Sequence, residues 1–94
     1  MNSIYSEKKE FVEKLRGAFM MIPEITDIEY RSTNDGTVEM VKVTYFGGGP
    51  VYINVAADSL EAIAGEVVNL VRGYPVVGLI HNPTNAQKIW NTLE

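Results

Sequence analysis

Apolar residues along this chain recur first every three to four positions, then every second position, then again every three to four. Phe11, Leu15, Ala18, Phe19 and Ile22 fall on one side of a helical wheel, which predicts an amphipathic helix over about Ser6 to Met21. Ser6 is the expected N-cap, Glu10 and Lys14 pair on the wet side, and Pro23 stops the helix. From Ile25 to Arg31 the period is two, with Ile28 and Tyr30 on one face and Asp27, Glu29 and Arg31 on the other. Asn34-Asp35-Gly36 offers residues that tolerate positive φ, and the β-branched and aromatic run Thr37 to Phe46 reads as the returning strand of a hairpin. Gly47-Gly48-Gly49-Pro50 breaks the chain before a third strand, Val51 to Val55, with Val51, Ile53 and Val55 inward and Tyr52 and Asn54 outward.

The middle strand carries a conflict of parity. Val38 and Met40 match the face of Ile28 and Tyr30, whereas Val41, Val43 and Tyr45 match Val51, Ile53 and Val55. A β-bulge near Met40 or Val41 would let both halves face one core, and one is expected there. Asp58 with Glu61 has capping-box spacing and opens a second helix whose apolar stripe runs through Leu60, Ile63, Ala64, Val67, Val68, Leu70 and Val71. Gly73 stands at the left-handed C′ position and Pro75 bars continuation.

After this helix the charge-free stretch Tyr74 to Asn82 holds Val76, Val77, Leu79 and Ile80, too apolar to be left in water. Thr84 is the expected cap of a short last helix on which Ala86, Ile89, Trp90 and Leu93 share a face. About ten residues of helix are marginal alone, so its stability depends on docking. The predicted fold is a single α+β domain over residues 1–94 in the order α-β-β-β-α-α. It is a three-stranded antiparallel meander with two helices packed on one face and a short C-terminal helix.

Composition narrows the function classes. With 46% apolar and 21% charged residues the chain has the make-up of a folded domain. A formal charge of −4 repels phosphate backbones, which argues against nucleic acid as a partner. The absence of cysteine removes disulfides, thiolate nucleophiles and Cys-based metal sites. No apolar run is long enough to cross a bilayer and the first residues lack a basic segment followed by an apolar one, so no membrane partner and a cytoplasmic location are expected.

Candidate chemistry is sparse. His81, the single histidine, sits beside Asn82 and Pro83 without a Ser/His/Asp or Cys/His set or paired-ligand spacing, so no catalytic residue, metal ligand or cofactor is assigned. The pairs Asp27/Glu29 and Glu61/Glu66 read as wet surface on a strand and a helix. Gly47-Gly48-Gly49-Pro50 lies between strands, not between a strand and a helix, and lacks the lysine of a phosphate-binding loop. Tyr45, Phe46 and Tyr52 around one turn read as cross-strand packing, since Lys42 is the single basic residue nearby.

Over Ser6 to Arg72 the order helix, three antiparallel strands, helix resembles the double-stranded-RNA-binding domain in topology. The resemblance implies an RNA partner gripped by lysines at the start of the second helix. Here Asp58-Ser59-Leu60-Glu61 stands at that place and Ser32-Thr33-Asn34-Asp35-Gly36 replaces the family's Gly-Pro-x-His type loop, so no RNA-contacting residue carries over.

The remaining functional expectation is a small non-enzymatic protein–protein interaction or accessory protein. Between Pro50 and Glu94 only Asp58, Glu61, Glu66, Arg72, Lys88 and Glu94 carry charge. Tyr74, Val76, Val77, Leu79, Ile80, Ile89 and Trp90 are the expected interface, toward a second copy in a homodimer or toward another protein. The alternatives are intramolecular cover by the C-terminal helix, and a small-molecule pocket or minor enzyme around His81, Asn82 and Tyr74.

Overall fold

The computed structural model describes residues 4–94. The elements run α1 (Ile4–Phe19), β1 (Ile25–Ser32), β2 (Glu39–Tyr45), β3 (Val51–Asn54), α2 (Leu60–Arg72) and α3 (Pro83–Trp90). The strands form one antiparallel sheet in the order β1-β2-β3, which is the predicted α+β arrangement. α1 begins at Ile4, two residues before Ser6, so the expected cap is not its first residue.

The sheet is covered on both faces. On one, α1 and α2 pack over Ile28, Tyr30, Val41, Val43, Ile53 and Val55, with Val12 from α1 and Ile63 and Val67 from α2 inserted between them. On the other, Met40 and Tyr52 are sealed by Ala86 and Trp90 of α3 and by Leu93. This double cover resolves the parity conflict without the expected bulge. Tyr30 pairs with Val41 and Arg31 with Met40 in unbroken register, so Val41 and Val43 face α1 and α2 while Met40 faces α3. A strand buried on both sides loses the polar half of its alternation, and two opposite parities are its signature. The register shifts instead in β1, where Thr26 is the extra residue between Ile25 and Asp27. Tyr52, expected outward in solvent, is only 2% exposed because α3 lies on it.

α1 buries Val12 with Lys8 one turn before it, and packs Leu15 and Phe19 beside them. Ala18, expected on the buried side, is exposed. α2 is capped by Ser59, not Asp58: the Ser59 hydroxyl accepts from Ala62 N at 3.1 Å. Its C-terminus follows expectation, with Gly73 at φ 78° and its N–H returned to the last turn. α3 is capped by Asn82, whose Oδ1 accepts from Asn85 N at 3.1 Å, and Pro83 follows at a position that needs no N–H donor. Thr84 therefore lies inside the helix. Ala86, Trp90 and Leu93 do share the buried side, but Ile89 is 43% exposed and points away from it.

The segment between α2 and α3 extends the sheet. Gly78 O accepts from Asn54 N at 2.7 Å, Ile80 N donates to Tyr52 O at 3.0 Å, and Leu79 pairs with Ile53. The chain then crosses the second face as α3 and reaches the opposite edge. There Glu94 N donates to Ser32 O at 3.0 Å and Ser32 N to Glu94 O at 3.2 Å. Residues 76–94 thus form a strap, fastened by backbone hydrogen bonds at both sheet edges and by Trp90 in the middle.

Candidate interaction surface and buried polar groups

The strap decides which of its apolar side chains remain available. Trp90 is 2% exposed, its ring 5.8 Å from that of Tyr52. Arg31 lies over the indole at 4.7 Å and Lys42 at 5.8 Å, so both cations of this face cover the tryptophan instead of standing free. Ile80 packs against this cluster and Val76 against the core of the other face, while Leu79 is half-buried at the sheet edge. Of the seven residues expected at an interface, Tyr74, Val77 and Ile89 are the exposed ones.

Sequence patterning missed a second group of exposed apolar side chains. Met21 is 85% exposed and Phe46 81%, with Met20 also exposed. They belong to one end of the molecule. Met20 and Met21 follow α1, Phe46 N donates to Glu24 O at 2.9 Å, and Leu70 near the end of α2 shares a cleft with Pro50 and Val51. Tyr74 N donates to Asn69 O at 2.8 Å, which places Tyr74 at the same end. The signal in the sequence was their position: Met20, Met21 and Phe46 sit where elements stop and neighbouring structure no longer covers them.

His81 borders a cleft of ≈ 310 Å³ lined by Pro50, Val51, Tyr52, Leu70, Leu79, Ile80 and Pro83. The imidazole is exposed, and Tyr52 is the other ionisable residue on the cleft wall. Burial pushes the Tyr52 hydroxyl above its ordinary range, against the opposing charge of Arg31. Asn82 is committed to capping α3, and Tyr74 does not line this cleft. The three residues expected to ring a pocket are thus divided among separate tasks.

Two polar clusters were not anticipated. Lys8 and Glu39 are 3% and 2% exposed, and Lys8 Nζ donates to Glu39 Oε2 at 2.8 Å and to Val55 O at 3.1 Å. Tyr30 Oη donates to Glu39 Oε1 at 2.9 Å, so both carboxylate oxygens are satisfied. The readable signals were a lysine one turn before Val12 and a glutamate sharing parity with Val41 and Val43. The second cluster is Asp58 with Glu66. Glu66 Oε1 accepts from Gly78 N at 3.2 Å, whereas Glu66 Oε2 and Asp58 Oδ2 are buried without a partner. Desolvation pushes the Glu66 carboxyl up and the Asp58 charge beside it pushes the same way.

At the β1–β2 turn, Asp35 is held down to about 2 by hydrogen bonds from the Thr37 side chain, Thr37 N and the Thr33 side chain. Among the described residues no group of three or more His, Asp or Glu side chains is placed to hold a metal ion, and no helix is long and apolar enough to cross a membrane. The chain matches no protein-family model, and no significant similarity to a curated protein or a solved structure was found.

Proposed function

We propose that this protein is a small non-enzymatic interaction domain that binds a protein partner, a second copy of itself included, through the apolar end formed by Met21, Phe46 and Tyr74. The observation that supports this is the exposure of three large apolar side chains where α1, the β2–β3 turn and α2 all finish. Large apolar side chains left exposed at one end of a domain offer a surface for a partner to cover. With Trp90 buried and Val76, Leu79 and Ile80 half-buried, the expected C-terminal interface narrows to Tyr74, Val77 and Ile89, and Tyr74 joins it to this end.

The test is the double variant Phe46→Ser, Tyr74→Ser. Both side chains are exposed, so stability is expected to change by no more than about 0.5 kcal/mol per site. Light scattering after size exclusion at high micromolar concentration should show an assembly for the parent chain and a monomer for the variant. A parent chain that is strictly monomeric ends self-association. Equal capture of native-host proteins by parent and variant ends the reading as a whole.

A small-molecule-binding domain is the second reading, supported by the cleft beside His81. Its volume lies at the lower limit of typical ligand sites and its walls are mainly apolar, which suits a small hydrophobic molecule with one polar group. Saturable shifts of the His81 and Leu79 signals on titration with such molecules would support it. A cleft that binds none of them leaves the interaction reading alone.

A further inference from the structure

We propose that Asp58 and Glu66 share a single proton in the folded protein, and that this proton fastens residues 76–80 of the strap to α2, so that the strap tightens in mild acid and loosens in mild alkali. The geometry begins with the two orphaned oxygens. Asp58 Oδ2 and Glu66 Oε2 are both buried and both lack a donor, while the other Glu66 oxygen already holds the Gly78 N–H at 3.2 Å. Asp58 and Glu66 line the same cleft, and the Asp58 charge bears on the Glu66 carboxyl. Two ionised carboxylates in this arrangement would combine like-charge repulsion with two unsatisfied buried acceptors. One proton between them turns both faults into one short, charge-assisted hydrogen bond.

Among the described residues lining the cleft no counter-charge competes for this role. The cleft at the pair is lined by Asn54 of the sheet, Ala56 and Ala57 of the β3–α2 loop, and Val77 and Gly78 of the strap, none of them ionisable. From α1, Lys8 reaches Val55 O but is held by Glu39 at 2.8 Å. On α2 itself, Glu61 and Arg72 are exposed toward solvent.

The strap feels the pair directly. A Cβ at Gly78 would stand 2.2 Å from Asn54 O and 3.0 Å from Glu66 Oε2, so the strap backbone is pressed between β3 and the Glu66 carboxyl with room for hydrogen alone. A second negative charge at Glu66 therefore acts on the segment whose Gly78 O also holds Asn54 N. The raised position of Glu66 agrees in direction: a group that takes up its proton more readily in the folded state contributes stability that is fully present below its unfolded value. That contribution is lost as pH rises through the folded value.

Glu66→Gln tests this, because the amide carbonyl can keep the Gly78 N–H while the amide N–H donates to Asp58 at every pH. At pH 8 the variant is expected to melt about 3–6 °C above the parent chain, with the difference shrinking toward zero at pH 5. The two proteins differ at one side chain, so the difference in their pH profiles isolates the pair. Carbon-13 observation of the Glu66 carboxyl should show a midpoint above the ordinary carboxylate range. A midpoint within that range, or a Glu66→Gln variant less stable than the parent at pH 8, overturns the proposal. So does a rise in parent Tm at pH 8 on adding calcium or magnesium that Glu66→Gln abolishes, since a cation would then be filling the proton's place.

Discussion

The two faces of the sheet are closed by different means. Under α1 and α2 ten of the described side chains are buried together, drawn from all three strands and both helices, with the Lys8–Glu39 pair bonded to one of them, Tyr30. Under the strap a single eight-residue helix and Leu93 supply the cover, and one indole lies against Tyr52, Arg31 and Lys42 in the cluster that buries Met40. The first face spreads its stability over many contacts. The second concentrates it in Trp90 and in backbone hydrogen bonds at the two edges, because so short a helix has little stability of its own. The contrast predicts that the strap opens before the rest of the fold.

Trp90→Ala breaks the comparison most severely. Removing a fully buried indole costs about 3–5 kcal/mol, and the loss should fall on the strap first. Amide exchange is expected to accelerate at Gly78, Ile80 and the α3 amides while Val41, Val43 and Ile63 keep their protection. If every amide loses protection together, the faces are one cooperative unit and the contrast is only one of composition.

Lys8→Met attacks the other face. It strands the Glu39 carboxylate among apolar side chains, and breaking a buried ion pair at one partner costs roughly 3–5 kcal/mol. Adding Glu39→Gln should recover most of that loss, since the amide oxygen still accepts from Tyr30 Oη without a buried charge. Urea denaturation of the single and double variants checks this. No recovery would mean that Lys8 acts through packing of its stem and its bond to Val55 O.

The same contrast explains how far the sequence could be read. The stripe of α2 and the glycine at its C-terminus were legible because each is a local rule: helical spacing, and a left-handed position that favours Gly73. The two parities of β2 were also legible, but their cause was not. Alternation reports that Val41 and Met40 both avoid water, and a bulge or a second covering layer satisfies that equally. Only the path of residues 76–94 across the second face decides between them. Lys8 and Glu39 escaped because a charged residue is normally solvated, and a buried pair is specified by two positions 31 residues apart. The need of the C-terminal third for shelter was plain from its apolar run. That shelter comes from this chain's own sheet, through hydrogen bonds between Glu94 and Ser32 that leave no trace in side-chain patterning.

Gly78→Ala probes the fastening of the strap where it passes β3, against Asn54 O, Glu66 Oε2 and Ile53 Cγ2. The added Cβ collides with Asn54 O, and overpacking of this kind costs about 1–3 kcal/mol. Its effect on Tm should be smaller than that of Trp90→Ala, but its pattern of amide exchange should be the same. A variant that opens β1 and β2 instead would show that the edge pairing supports the whole sheet.

The smallest effect belongs to a turn that both faces use. Asp35 Oδ1 accepts from Thr33 Oγ1 at 2.8 Å, from Thr37 N at 3.0 Å and from Thr37 Oγ1. These bonds favour the carboxylate and hold it at about 2 against an ordinary 3.8. A depressed value contributes stability that is present above the unfolded value and disappears as pH falls through the folded one. The window is therefore 3.8 down to about 2. Asp35→Asn should flatten the Tm profile within that window, lowering Tm slightly above pH 5 and converging with the parent chain at the acid end. Since the turn joins β1 to β2, whose side chains reach both faces, the loss should touch Val41 and Met40 alike. Unequal loss of protection at those two amides would mean that even this turn serves one face more than the other.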